Sequence, residues 1–219
     1  MTSLARAALF VLAACTSSRA PAPAAPAPAE PAEAPTAGAT APAALPPAFA
    51  ASLAAARMSF AVPAGFTLVA PVDNPHWQYP FAMRADDGSV EVRVRIDDLG
   101  AQRAEEAACK ARPGCVRAST NELWRTWHFA IAANIAGARP DAMPEIQELD
   151  RADVASDFGG DAAALALVDV DAKFGAQHPH GLVAIIHKDD RADAVVVLLF
   201  DDPTQVDFER AFGGLRFEP

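Results

Sequence analysis

The sequence predicts an α+β fold, a largely antiparallel sheet of about six strands packed by helices, and three observations carry this. Val90, Val92, Val94 and Ile96 alternate with Glu91, Arg93, Arg95 and Asp97, the period-two pattern of a strand in a sheet with one wet face. Three near-continuous apolar runs, at 162–170, 182–187 and 194–200, are short and Val-rich, as strands buried on both faces are. Two further segments carry helical periodicity, and helices must cover such a sheet.

The elements follow in chain order. Residues 48–57 suit a short helix ahead of the domain, and 58–62 a strand stopped by Pro63-Ala64-Gly65. Tyr79, Phe81 and Met83 alternate, and Asp86-Asp87-Gly88 supplies a turn into 90–97, which makes a β-hairpin. Pro80 puts the first strand of that hairpin at an edge. Ser119 with Glu122 has capping-box spacing, and Leu123, Trp127, Ala130, Ile131 and Asn134 share one helical face that Gly137 and Pro140 close. A helical turn fits 151–156, and 188–193 forms a polar loop between the last two apolar runs. Asp202 as N-cap and Pro203 at the first helical position start a second helix. It places Phe208, Ala211, Phe212 and Leu215 at i, i+3, i+4 and i+7, ends at Gly213-Gly214, and leaves a last short strand at 215–217.

Residues 58–219, about 160 positions, suffice for one domain with a real core. They carry 15 Lys and Arg against 26 Asp and Glu, a net charge of −11. Such a domain repels phosphate backbones and offers no basic patch to anionic lipids, so nucleic-acid binding is disfavoured.

The first 57 residues have another composition. Arg6 precedes an apolar stretch, Ala7 to Ala14, which is too short to span a bilayer as a helix. Leu12-Ala13-Ala14-Cys15 resembles the lipobox of bacterial lipoproteins. That resemblance implies a signal peptide at 1–14, cleavage before Cys15 and lipid on its thiol and new amino group. Two or three acyl chains hold a protein on a membrane stably where one does not. Thr16, rather than Asp, after the cysteine implies the outer membrane. From Arg19 to Pro47 the chain is almost wholly Ala and Pro, which blocks helix and sheet alike and makes a disordered linker over 15–57. The 42 residues between Cys15 and Met58 reach about 130 Å as polyproline or roughly 35 Å as flexible coil.

FAVPAGF at 60–66, EVRVRI at 91–96 and GLVAIIHKDDRADAVVVLLFDDP at 181–203 resemble the PsbP/DcrB-like α/β/α sandwich superfamily over roughly 58–219. More closely, the chain is similar to bacterial lipoproteins that carry such a domain behind a Pro-rich tether. The resemblance implies a non-catalytic accessory or binding module. That superfamily has no universal active-site motif, so no functional residue carries over.

Five residues including Pro113-Gly114 separate Cys109 from Cys115, and in an oxidising compartment the pair forms a disulfide rather than a redox motif. Closing so small a loop stabilises by roughly 2–2.5 kcal/mol. His178 and His180, with His187 nearby, are candidate metal ligands, but spacing fixes no third. His128 sits within the helix that carries Trp127 and reads as a boundary residue rather than a base. The doubled acids Asp86-Asp87, Asp97-Asp98, Asp189-Asp190 and Asp201-Asp202 fall at turns, where Asp satisfies local backbone donors. A calcium site among them lacks loop spacing. His76, Trp77, Tyr79, Phe81 and Trp124 can form a binding surface or fill the core, and the core is the expectation. No phosphate loop, nucleophile elbow or zinc-protease helix is present, and no cofactor is expected.

The functional expectation is a lipid-anchored accessory or binding protein of the cell envelope whose partner is an envelope protein or a small ligand. Two other readings stay open from the sequence: an envelope enzyme built around His178, His180 and acidic turns, and a structural surface lipoprotein.

Overall fold

The computed structural model describes residues 44–74, 77–137, 143–174 and 177–219. The expected signal peptide, Cys15, most of the Ala/Pro tract, His76 and Pro140 lie outside the described residues.

Nine strands and five helices are present among the described residues. They run α1 (Pro47–Ala56), β1 (Met58–Ser59), β2 (Phe66–Leu68), β3 (Phe81–Ala85), β4 (Val90–Asp98), α2 (Gly100–Lys110), α3 (Leu123–Ile135), β5 (Gln147–Glu148), α4 (Arg151–Phe158), β6 (Ala162–Asp169), β7 (His180–Lys188), β8 (Ala192–Phe200), α5 (Phe208–Ala211) and β9 (Arg216–Phe217). Seven strands form one sheet in the order β2-β3-β4-β8-β7-β6-β5, with every neighbouring pair antiparallel. β1 and β9 make a separate two-stranded ribbon. The predicted α+β class with a large antiparallel sheet is the observed one.

The sheet separates two cores. On its first face Val92, Val94, Val196, Leu198 and Phe200 pack against Phe49 and Leu53 of α1, Val154 and Phe158 of α4, and Phe208 of α5. On its second face Val183, Ile185, Val195, Val197 and Leu199 pack against Trp124, Ala132 and Ile135 of α3. The three apolar runs are therefore buried on both sides, as predicted, because a strand with helices above and below has no polar side to keep.

Several expectations are corrected. The helix at 48–57 belongs to the domain: Phe49 is fully buried and stacks on Phe81 at 4.3 Å, so the folded unit includes α1 and does not start at residue 58. The segment between hairpin and helix, to which the sequence pattern assigned no element, contains α2, an amphipathic helix that ends at the disulfide. The Ser119 side chain makes no cap bond. Instead Glu106 of α2 accepts a 2.8 Å bond from the Thr120 backbone N–H, across elements. Pro80 precedes a strand that is not an edge, because β2, unforeseen, pairs outside β3. The helix expected after Pro203 is broken by extended Val206 into a 3-10 turn capped by Asp202 and a short α5 capped by Asp207. Its apolar residues are still buried as patterned.

The wet face expected of β4 is mostly covered. Arg93 is buried, with its guanidinium 4.9 Å from the ring centroids of both Tyr79 and Phe174. Its Nε donates to Glu91 at 2.8 Å, and Arg84 bonds the other oxygen of that carboxylate at 2.6 Å. Burial alone would raise the Glu91 carboxyl, but these two guanidinium groups outweigh it and hold it below its ordinary range.

Candidate functional site

Past the covered Arg93, the second half of β4 borders a cleft. Asp97, Asp193 and His187 stand opposite one another on β4, β8 and β7, so they form one row across three strands on the second face. Arg95 lies two residues before Asp97 and therefore on the same face. α3 packs over β7 and β6, α2 follows directly on β4, and residues of both helices line a cleft of about 200 Å³ beside this row. Its polar lining is Arg95, Asp97, Asp193, Gln102 and Asn134. Its apolar wall comes from Trp77, Trp127, Ala130, Ile131, Ile185 and Val195.

The rotation of α3 creates this opening. The expected buried stripe through Leu123, Trp127 and Asn134 is not the buried one; Trp124, His128, Ala132 and Ile135 face the sheet instead. Trp124 stacks on the His187 ring at 5.8 Å, while Trp127 is 53% exposed at the rim. Trp124, which lies off the predicted stripe, is thus the core anchor of the helix.

His187 is only 1% exposed in its side chain and is bound at both nitrogens: Nδ1 to Asp193 at 2.6 Å and Nε2 to Asp189 at 2.9 Å. Carboxyl groups at both nitrogens favour the ring that carries both N–H groups, its cationic form. Burial alone would lower its pKa, but the bonds and charges of the two aspartates outweigh burial and raise it. Burial pushes the Asp193 carboxyl up, and Asp97 adds to the push against the pull of His187. A ring occupied on both sides offers no free nitrogen to a substrate, so the arrangement braces the floor of the cleft and does not supply a base.

His128 is fully buried and not a boundary residue. Its Nε2–H donates to the Val183 carbonyl at 3.0 Å and its Nδ1 has no partner among the described residues. Burial lowers its pKa, against the smaller pull of that carbonyl.

The other sequence candidates disperse. Cys109 and Cys115 are joined by a disulfide with Cα atoms 5.4 Å apart. His178 bonds Asp201 at 2.9 Å and His180 bonds Asp169 at 3.0 Å, so each has its own aspartate. His187, seven residues beyond His180 on β7, is about 23 Å away at the other end of that strand. Among the described residues no three His, Cys, Asp or Glu side chains are grouped to hold a metal ion. The doubled acids divide between the sheet's two ends: Asp97-Asp98 and Asp189-Asp190 at one, Asp86-Asp87 and Asp201-Asp202 at the other. Asp87, Asp98 and Asp202 accept bonds from backbone N–H groups two residues on, as turn residues do. Trp77, Tyr79, Phe81 and Trp124 are core residues, as expected.

Arg95, Asp97, Gln102, Trp127 and Asn134 were missed as a site. A signal existed: β8 is apolar on both faces, so its neighbour β4 shares the second layer, and charges there must be covered or line a gap. Among the described residues no helix is long and apolar enough to cross a membrane. No protein-family model matches this chain, and no curated protein matches it in sequence.

Proposed function

We propose that this chain is a lipid-anchored accessory protein of the cell envelope whose α/β head binds a small ligand in the cleft beneath α3 and performs no chemistry on it. The observation that carries the binding reading is the cleft itself, where polar groups from β4, α2 and α3 converge within an aromatic and aliphatic wall. The doubly bonded His187 favours binding over catalysis, because the histidine that bonds Asp193 of the cleft has no nitrogen to offer.

The anchor rests on Leu12-Ala13-Ala14-Cys15 and its resemblance to a lipobox. With α1 part of the head, 31 residues separate Cys15 from Pro47, a tether of at most about 95 Å if extended as polyproline. The accessory role rests on the resemblance to the PsbP/DcrB-like superfamily, whose α/β/α layering a sheet with helices on both faces would share.

Two measurements test the proposal together. The full chain expressed in a bacterium should incorporate labelled palmitate and fractionate with outer membranes, and Cys15→Ser should abolish both. The purified protein should gain thermal stability with members of a small-metabolite library, and Ala130→Phe, which fills the cleft, should remove that gain. Unlabelled native protein rejects the anchor, and a library without effect rejects the binding site.

A further inference from the structure

We infer that the cleft takes a small zwitterion with an apolar body, of the class of the large hydrophobic α-amino acids; this deepens the binding function above and rests on it. The first ground is the way Arg95 is held. Asp97 accepts a 2.8 Å bond from its Nε, which fixes the plane of the guanidinium and leaves the edge bearing the two terminal nitrogens uncommitted among the described residues. The side chain stays 40% exposed at the cleft. A fork oriented in this way matches a carboxylate through two parallel bonds. Gln102 from α2 and Asn134 from α3 bring amide groups to the same cleft from two other directions.

The second ground is the balance of charge. The described head is strongly acidic, and Asp97 presents a partly exposed carboxylate within a few atoms of Arg95. A net anion would meet the repulsion of the whole domain. A zwitterion does not: its carboxylate sits on the Arg95 fork, and its ammonium faces the second oxygen of Asp97. The third ground is size and lining. About 200 Å³ holds about seven to ten non-hydrogen atoms at roughly 20–30 Å³ each, the size of one amino acid such as leucine. Trp127, Ile131, Ile185 and Val195 then receive an aliphatic or aromatic side chain, with Trp127 at the open rim.

The test is isothermal titration of the full chain with L-leucine and L-phenylalanine. It is paired with two truncated probes, 3-methylbutylamine, which lacks the carboxylate, and 4-methylpentanoate, which lacks the ammonium. Saturable binding of either amino acid is expected, with each truncated probe at least tenfold weaker. Arg95→Lys, which keeps the charge and loses the fork, and Asn134→Ala, on an exposed helix position, should each weaken binding severalfold with an unchanged circular dichroism spectrum. Binding of 4-methylpentanoate as tight as leucine overturns the zwitterion, as does an Arg95→Lys variant that binds normally. If neither amino acid binds while another library compound stabilises the protein through the cleft, the ligand class is wrong and the binding function stands. If no compound does so, both fall.

Discussion

His187 and Asp193 face each other directly across β7 and β8, with Nδ1 of the imidazole 2.6 Å from the carboxylate and the ring stacked against Trp124. Removing one partner of a buried charge pair strands the other, so Asp193→Asn should destabilise the protein by about 3 kcal/mol in urea unfolding. Because the folded pKa of His187 is raised, its contribution is complete below about pH 6.5 and is lost as pH rises through the folded value. The His187 resonance in the native protein should titrate above the ordinary range and move down in Asp193→Asn. An unshifted titration would remove the clamp from this account.

His128 carries the opposite sign. Its folded pKa is depressed by burial, so its contribution is complete above about pH 6.5 and is lost as pH falls through the depressed value. His128→Gln keeps a donor for the Val183 carbonyl and cannot charge. Going from about pH 7.5 to about 5.5 should cost the native protein on the order of 1 kcal/mol more than this variant. Parallel pH profiles would contradict the buried neutral ring.

Phe49 tests where the domain begins. It is fully buried, stacks on Phe81 and meets Phe60 edge-on at 5.5 Å, so Phe49→Ala should cost about 3–5 kcal/mol. A chain beginning at residue 58 should lack a cooperative thermal transition. Full stability of that truncation would return α1 to the linker.

The disulfide closes a short loop at the end of α2, where Cys109 is buried. Cys115→Ser should lower stability by about 2 kcal/mol in oxidised protein and by nothing under reductant. Thiol labelling of exported native protein should detect neither Cys109 nor Cys115.

Much of the fold was legible because strand periodicity survives tertiary packing. The β3–β4 hairpin, the three apolar strands and the Phe208, Ala211, Phe212 and Leu215 set all appear where their spacing put them. What was illegible shares one cause: a partner distant in sequence overrides the local pattern. Arg93 reads as a solvated residue until Tyr79 and Phe174 are seen to enclose it. The helix start reads as a Ser119–Glu122 capping box until Glu106 arrives from α2 to accept from the Thr120 N–H, and that carboxyl is held down to about 2 by Lys110 and by the Thr120 bonds. The cleft was hidden for the same reason. Trp127 and Trp124 fit a helical stripe almost equally well, and only docking onto β6 and β7 decides which is covered.

The central claim is that the gap under α3 is the binding site, and the three tryptophans give a direct reading of it. In a proton–nitrogen correlation spectrum of the full chain, each indole N–H gives its own signal. Titration with a stabilising metabolite should move the signals of Trp127 and Trp77, which line the cleft, and leave Trp124, sealed against His187, in place. Movement of Trp124 alone, or shifts confined to the His178 and Asp201 end of the sheet, would contradict it.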